Sequence, residues 1–492
     1  MTIPLNQANL ASMPENVKVP EYDRSKLSAG ILHIGIGNFH RSHQADYLHK
    51  LFEQNKDYDW ALVGCGVKSF DAAMRDKLAK QDWLTTIVEL DEDGLSAHVC
   101  GSMIDFLNID PAEVIAALCR PEIRIVSLTI TEGGYFIDAK TGGFQVEHPD
   151  IQADIANPGS PKTVFGILLE GLKQRRSAGI EPFTIMTCDN VPHNGDITRQ
   201  TLTGLAQHID AELAEWISST VAFPNSMVDC ITPATTAREI DRLAKEFDVE
   251  DASPVFCEPF RQWVIEDKFP LGRPALEDVG VEFVEDVTAH EFMKLRILNG
   301  GHAALAFPSA LLKLVYVHEG MLHPLVRDYV RKMVIDEAIP TLTPVPGTDF
   351  NDYLDLIESR FANPEIGDTI ARLCTDPSNR LPKFILPITQ SNLDSEGSIT
   401  GTALVIALWC RYCAYTADAA NNTVLNDEQA PRLQALALEA KTAPEGFLAM
   451  EDVFGTLGQN PRFVAEFSFW LSKLWAEGTE ACLKDYIAGK SE

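Results

Sequence analysis

Along the first 190 residues, solid apolar runs alternate with stretches whose apolar positions recur every three or four residues. The run ILHIGIG at 31–37 is a strand entering a glycine turn, and a helix is expected from 41 to about 55. WALVGCGV at 60–67 gives a second strand, followed by a helix over 71–80. Residues 84–90 and 97–101 read as a further strand pair. A helix over 111–120 begins with Pro111, where a missing N–H is harmless. IRIVSLTI at 123–130 is apolar enough to be a strand buried on both faces, and a helix over 163–178 leads to another strand at 183–188. Strands separated by helices predict βαβ units and a largely parallel sheet.

From about residue 286 only helical spacing remains, over 292–314, 323–339, 350–359, 402–417, 432–442 and 463–488. Turn signals at 344–347 and 392–397 separate these segments. A chain of 492 residues exceeds the roughly 250–300 that one core supports. The fold expected is an α/β N-terminal domain of Rossmann type over 1–285, then a mainly α-helical C-terminal domain over 286–492. The substrate site of such a pair is expected in the cleft between the domains.

Charge narrows the partners. The net charge of −30, from 41 basic and 71 acidic residues, disfavours nucleic acid and anionic membrane surfaces. No apolar run approaches the roughly 20 residues needed to span a bilayer. Residues 1–20 hold no basic segment followed by an apolar one, so a cytoplasmic protein is expected. The ten cysteines are scattered through apolar surroundings, as buried thiols in a reducing compartment would be. Cys410 and Cys413 have C-x-x-C spacing, but they lie within an apolar helix and no second pair completes a metal set.

The turn after the first strand reads Gly35-x-Gly37-x-Phe39-His40-Arg41, where a dinucleotide's pyrophosphate would sit. The third glycine of the usual fingerprint is replaced by His40. A glycine turn without function has the same look; the second strand and Asp71 just beyond it add context, because an acidic residue there holds a ribose 2′-hydroxyl. Asp71 would favour NAD over NADP, Lys68 would soften that preference, and Asp71 also suits a helix N-terminus with no ligand at all.

The densest polar cluster on an apolar helix is Glu291, Lys294, Asn299 and His302. At about 100° per residue these fall within an arc of roughly 140°. Oxidising an alcohol requires removal of its proton as hydride leaves. A lysine, with a pKa ordinarily near 10.4, serves as that base only when desolvated or set near positive charge. Asparagine amides can hold the developing alkoxide. A solvated lysine beside two core polar residues would show the same spacing.

Five motifs occur in order: the turn at 35–41, TITEGGY at 129–135, Cys188-Asp-Asn190, FPNSMVDCITP at 223–233, and Lys294 with Asn299 and His302. Together, from about 29 to beyond 460, they strongly resemble the polyol-specific long-chain dehydrogenases. The resemblance implies a hydride exchange between NAD(H) and a polyol/ketose pair, D-mannitol and D-fructose foremost, without zinc. It implies Lys294 as general acid/base, Asn190 and Asn299 as the oxyanion hole, and His302 as the residue orienting a substrate hydroxyl. It further implies Glu291 assisting proton exchange near the base and Asp229, Arg372 and Arg380 holding distal hydroxyls. Gly35, Gly37, Asn38, Phe39 and Asp71 would bind the cofactor, and a monomer is implied. Two positions depart from the family: Cys230 replaces a common Arg, and Arg380 replaces a usual Lys. Both put the exact polyol in doubt, not the reaction.

The rival within the family is a hexuronate reductase acting on fructuronate, with Arg372 or Arg380 clamping the carboxylate. A sugar phosphate would need a denser basic pocket than the sequence shows. A non-catalytic NAD-binding regulatory protein would have no need of Lys294, Asn190, Asn299 and His302 together.

Overall fold

The structure, a computed structural model, describes residues 2–138 and 142–490. The chain divides into two compact units, Met1–Thr288 and Ala289–Glu492. In the first, five parallel strands β1 (Ala29–Ile34), β2 (Ala61–Cys65), β3 (Met103–Phe106), β4 (Ile125–Leu128) and β5 (Thr184–Thr187) lie in the order β3-β2-β1-β4-β5. The order reverses between β1 and β4, and open α/β sheets bind ligands beyond the carboxyl ends of their strands at such a point.

Both faces of this sheet are covered, which explains the solid apolar runs. Leu32, Ile34, Val63, Val126 and Leu128 pack with Phe165, Leu168 and Leu172 of the helix Val164–Ala178. Ile31, Leu62, Ile125 and Met186 pack on the other side with Leu48, Leu51 and Phe52. Those three belong to helix α2 (Gln44–Glu53), which follows the short α1 (Asn38–Ser42) after a break at His43. The helix expected from 41 therefore begins three residues earlier. Helix α3 (Asp71–Ala79) follows β2.

The pair expected at 84–90 and 97–101 is not part of the parallel sheet. Thr85–Asp91 and Gly94–Cys100 form an antiparallel hairpin turning at Gly94, whose φ is +138°. The hairpin belongs to a separate four-stranded sheet. A further strand, β6 (Ser226–Asp229), pairs antiparallel with Gln262–Glu266.

The second unit is helical throughout. The helix expected over 292–314 is observed as α4 (Thr288–Met293), a π-helical turn Lys294–Asn299, and α5 (Gly300–Leu311). Helix α6 (Phe350–Ala362) and the buried α7 (Thr400–Thr416) supply much of the surrounding core. Cys410 and Cys413 lie wholly buried within α7, and all ten cysteines are free. The helix expected over 463–488 is broken by Gly478, with φ +84°, into Pro461–Glu477 and Thr479–Ile487. Among the described residues, no helix is long and apolar enough to cross a membrane.

Candidate active site

At the end of β1 the chain turns at Gly35, whose φ is +101° and where a Cβ would collide with the Thr129 carbonyl. The Thr129 hydroxyl donates to the Gly35 carbonyl at 2.6 Å, tying the ends of β1 and β4 together at the switch point. Gly37, by contrast, faces open space where its Cβ would stand. A bulky anionic group can approach the backbone there. Beneath the turn, His40 stacks on His33 with ring centroids 3.4 Å apart. Burial pushes His33 down to about 3 and His40 well below its usual value, so neither ring adds charge beneath the turn.

The side chain of Asn38 turns inward, donating to the Pro233 carbonyl at 3.1 Å and the Thr235 hydroxyl at 3.0 Å and accepting from Arg41 at 2.8 Å. Arg41, itself buried, holds the Ser253 carbonyl. Asn38 thus secures the turn, and beside it opens a cavity of about 450 Å³ lined by Met74, Lys77, Thr232 and Ser253. Phe39 stacks on His43 at 4.8 Å. Asp71 opens α3, and its Oδ2 accepts the N–H groups of Val67 and Lys68, each at 2.9 Å. Gly66 leaves no room for a Cβ against that carboxylate. Asp71 first shapes its own turn, while its charge stays at the end of β2.

Beyond β5, Asn190 is exposed, and the neighbouring Asp189 bonds the 129–135 loop. Asp229 closes β6 opposite Gln262 and is buried, as is the following Cys230.

In the helical unit, Glu291, Lys294, Asn299 and His302 are all buried. The Gly300 N–H reaches back to the Leu295 carbonyl, an i→i−5 bond. An unbroken α-helix would leave Asn299 and Lys294 about 140° apart, and the wider π turn reduces that angle. Asn299 Oδ1 and His302 Nε2 are buried with no hydrogen-bond partner among the described residues. The His302 ring stacks on Phe361 at 3.9 Å. Burial, then the Arg372, Arg380 and Arg360 guanidiniums, holds His302 well below its usual value. A neutral imidazole results, able to donate from one nitrogen and accept at the other.

Arg372 is largely exposed and gripped by both oxygens of Asp368. Arg380 donates to the Leu373 carbonyl at 3.0 Å and lies over Phe384. Sequence reasoning missed Arg360 and Phe361, which sit at the end of α6. An arginine in the last turn of an amphipathic helix ordinarily reads as solvated, so only the packing reveals them. Among the described residues, no group of three or more His, Cys, Asp or Glu side chains could hold a metal ion.

The chain matches the family models for the mannitol dehydrogenase Rossmann domain over residues 29–278 and the mannitol dehydrogenase C-terminal domain over 286–475. It is 52% identical to a mannitol 2-dehydrogenase of Cereibacter sphaeroides across 97% of this chain and 100% of that one. A mannitol 2-dehydrogenase of Pyrenophora tritici-repentis is 42% identical across 99% of this chain and 86% of its own length. Among solved structures, the Pseudomonas fluorescens mannitol 2-dehydrogenase ternary complex with NAD and D-mannitol superposes with a TM-score of 0.89 and 43% identity, covering 99% of this chain and 100% of that one. A D-sorbitol dehydrogenase in substrate-free form gives a TM-score of 0.89 at 32% identity, covering 98% and 100%.

Proposed function

The chain belongs to the mannitol dehydrogenase family, and from that membership we propose that it is an NAD-dependent polyol dehydrogenase interconverting D-mannitol and D-fructose. The observation that carries the reading is one stretch of helix that holds a buried lysine and a buried asparagine at the two ends of a π turn and a buried, neutral imidazole in the turn that follows. The residues at the switch point fit a dinucleotide. Gly35 permits the turn, Gly37 leaves room for a pyrophosphate, and the Asp71 charge favours an unphosphorylated ribose. A bound NAD+ would supply the acceptor for the hydride that leaves the carbinol carbon.

In alcohol oxidation, Lys294 takes the hydroxyl proton as the C–H bond breaks, and in ketone reduction it returns that proton. The Asn190 and Asn299 side-chain amides hold the oxygen as it gains charge. His302, neutral, exchanges a hydrogen bond with a neighbouring hydroxyl and so orients the substrate. Glu291, one turn before Lys294, relays its proton to solvent. Asp229, Arg372 and Arg380 hold the distal hydroxyls. The reading requires no metal to take part. A monomer in the cytoplasm completes it.

A second reading, reduction of fructuronate, is supported by the three guanidiniums whose field reaches His302. The Asp368 carboxylate already neutralises Arg372, which favours a neutral polyol. NADH oxidation by the purified protein in EDTA decides between them, with D-fructose, fructuronate, xylulose and fructose 6-phosphate assayed side by side. Fast turnover on fructose is expected. Activity on fructuronate alone would move the substrate to the uronates, and a requirement for added zinc would refute the metal-free chemistry.

A further inference from the structure

The loop leaving β4 at the switch point is held in a conformation that its residues resist. Thr131 has φ +64°, a region that β-branched side chains rarely adopt, and Phe136 has φ +51°. Contacts fixing the loop converge on one carboxylate. Asp189 Oδ1 accepts the Thr131 N–H at 2.9 Å, while Oδ2 accepts the Ile130 N–H at 2.8 Å and the Tyr135 hydroxyl at 2.6 Å. Tyr135 is fully buried, and its hydroxyl also meets Thr187 at the end of β5. Burial pushes the Asp189 carboxyl up, and the Tyr135, Ile130 and Thr131 donors pull it back.

The backbone of the same residue is anchored on its other side. The Asp189 carbonyl accepts the Val191 N–H at 2.9 Å and the Asn194 amide at 3.1 Å. Asn194 is buried and exchanges two further bonds with Ser226, at 2.7 and 2.9 Å. Asn190 therefore projects from a peptide fixed to the loop on one side and to β6 on the other. An exposed side chain on a rigid support is what a group aimed at a reacting oxygen needs, because a misplacement of about 1 Å can cost two orders of magnitude in rate.

We propose that Asp189 is a positioning residue for the dehydrogenase reaction, locking the 129–135 loop and the backbone that carries Asn190 into one rigid piece. The inference rests on the reading of Asn190 as a holder of the developing alkoxide. Replacing Asp189 with Asn keeps the shape but turns one acceptor into a donor facing the N–H of Ile130 or Thr131.

The test is a double-mutant cycle of Asp189→Asn with Asn190→Ala, read as kcat for polyol oxidation, with NADH binding followed by fluorescence. Asp189→Asn alone is expected to lower kcat by about tenfold or more, with NADH affinity changed by less than about threefold. In the Asn190→Ala background the same substitution should cost much less. Tyr135→Phe, which removes only one donor to the carboxylate, runs the same cycle with a smaller loss if Asp189→Asn does not fold. Hydrogen exchange over residues 129–136 should quicken in either variant, whether or not any substrate is turned over. Strictly additive losses, undiminished kcat, or unchanged exchange would each overturn the proposal. A wild-type protein inert on every polyol would instead defeat the functional reading, leaving exchange to judge the anchor by itself.

Discussion

Lys294 is the residue on which the proposed chemistry turns. It has 6% of its surface exposed, and it stands where the helix changes from α to π geometry. If it is the acid/base, Lys294→Ala should lower kcat by at least about a hundredfold, within the usual range for general acid–base catalysis. NADH titration by fluorescence should be almost unaffected, since the nucleotide-binding residues proposed lie in the first unit. A parallel loss of NADH binding would mark a lysine that supports structure. His302 belongs to the same scale. With its charge suppressed by burial and by Arg372, Arg380 and Arg360, it should contribute no ionisation to the kcat profile near neutral pH.

Among the elements, the helical unit is built around α7, and its N-terminus is capped by a carboxylate from elsewhere in the chain. Glu337 lies in a second π-helical turn, Val334–Ala338, and is completely buried. Its Oε1 accepts the Gly401 N–H at 2.6 Å and the Ser398 hydroxyl at 2.9 Å, and its Oε2 accepts the Thr402 N–H at 2.8 Å. An anion at a helix N-terminus is favoured by the dipole and satisfies donors that would otherwise be orphaned. Glu337→Gln keeps one acceptor and sets an amino group against backbone donors, so a loss of about 1–3 kcal/mol is expected. For a unit of this size that lowers the melting temperature by several degrees, at about 2–4 °C per kcal/mol. Thermal unfolding indistinguishable from wild type would mean that water replaces the carboxylate without penalty.

On the scale of the molecule, distant parts of the first unit are joined by a buried ion cluster. Asp46 in α2 meets His98 at 2.6 Å, Lys50 at 2.9 Å and Arg261 at 3.2 Å, and Arg261 also reaches Glu89 at 2.7 Å. Burial by itself would raise the Asp46 carboxyl; its interactions with His98, a hydrogen bond among them, and with Arg261 and Lys50 outweigh it and hold the group well below the usual carboxylate range. A depressed acid adds stability that is complete above its unfolded value, near about 3.9, and is lost as pH falls below that toward the folded value. Asp46→Asn should therefore melt earlier than wild type at pH 7. The gap should narrow as pH falls below about 4. A constant gap across that range would separate the cluster from acid stability.

Much of this was legible in the sequence because it depends on local pattern. Solid apolar runs mark strands covered on both faces, and the order of strand and helix implies a Rossmann-type half. Unbroken helical spacing from about 286 implies the helical half. Motifs such as Gly35-x-Gly37 and Lys294 with Asn299 and His302 name residue types that chemistry needs, and the family models agree with that membership. Other features were decided by tertiary structure alone. An apolar strand looks the same whether its partner is parallel or antiparallel, so the strand pair read within 84–101 was legible but its antiparallel pairing in a separate sheet was not. A π turn costs one extra residue that periodicity averages away, yet it changes the angle between Lys294 and Asn299 around the helix. The inward turn of the Asn38 side chain, the stacking of Phe361 on His302 and the grip of Asp189 on Thr131 join residues from 58 to 197 positions apart. Spacing along a chain carries periodicity within one element; it carries no record of which side chains meet once distant elements pack.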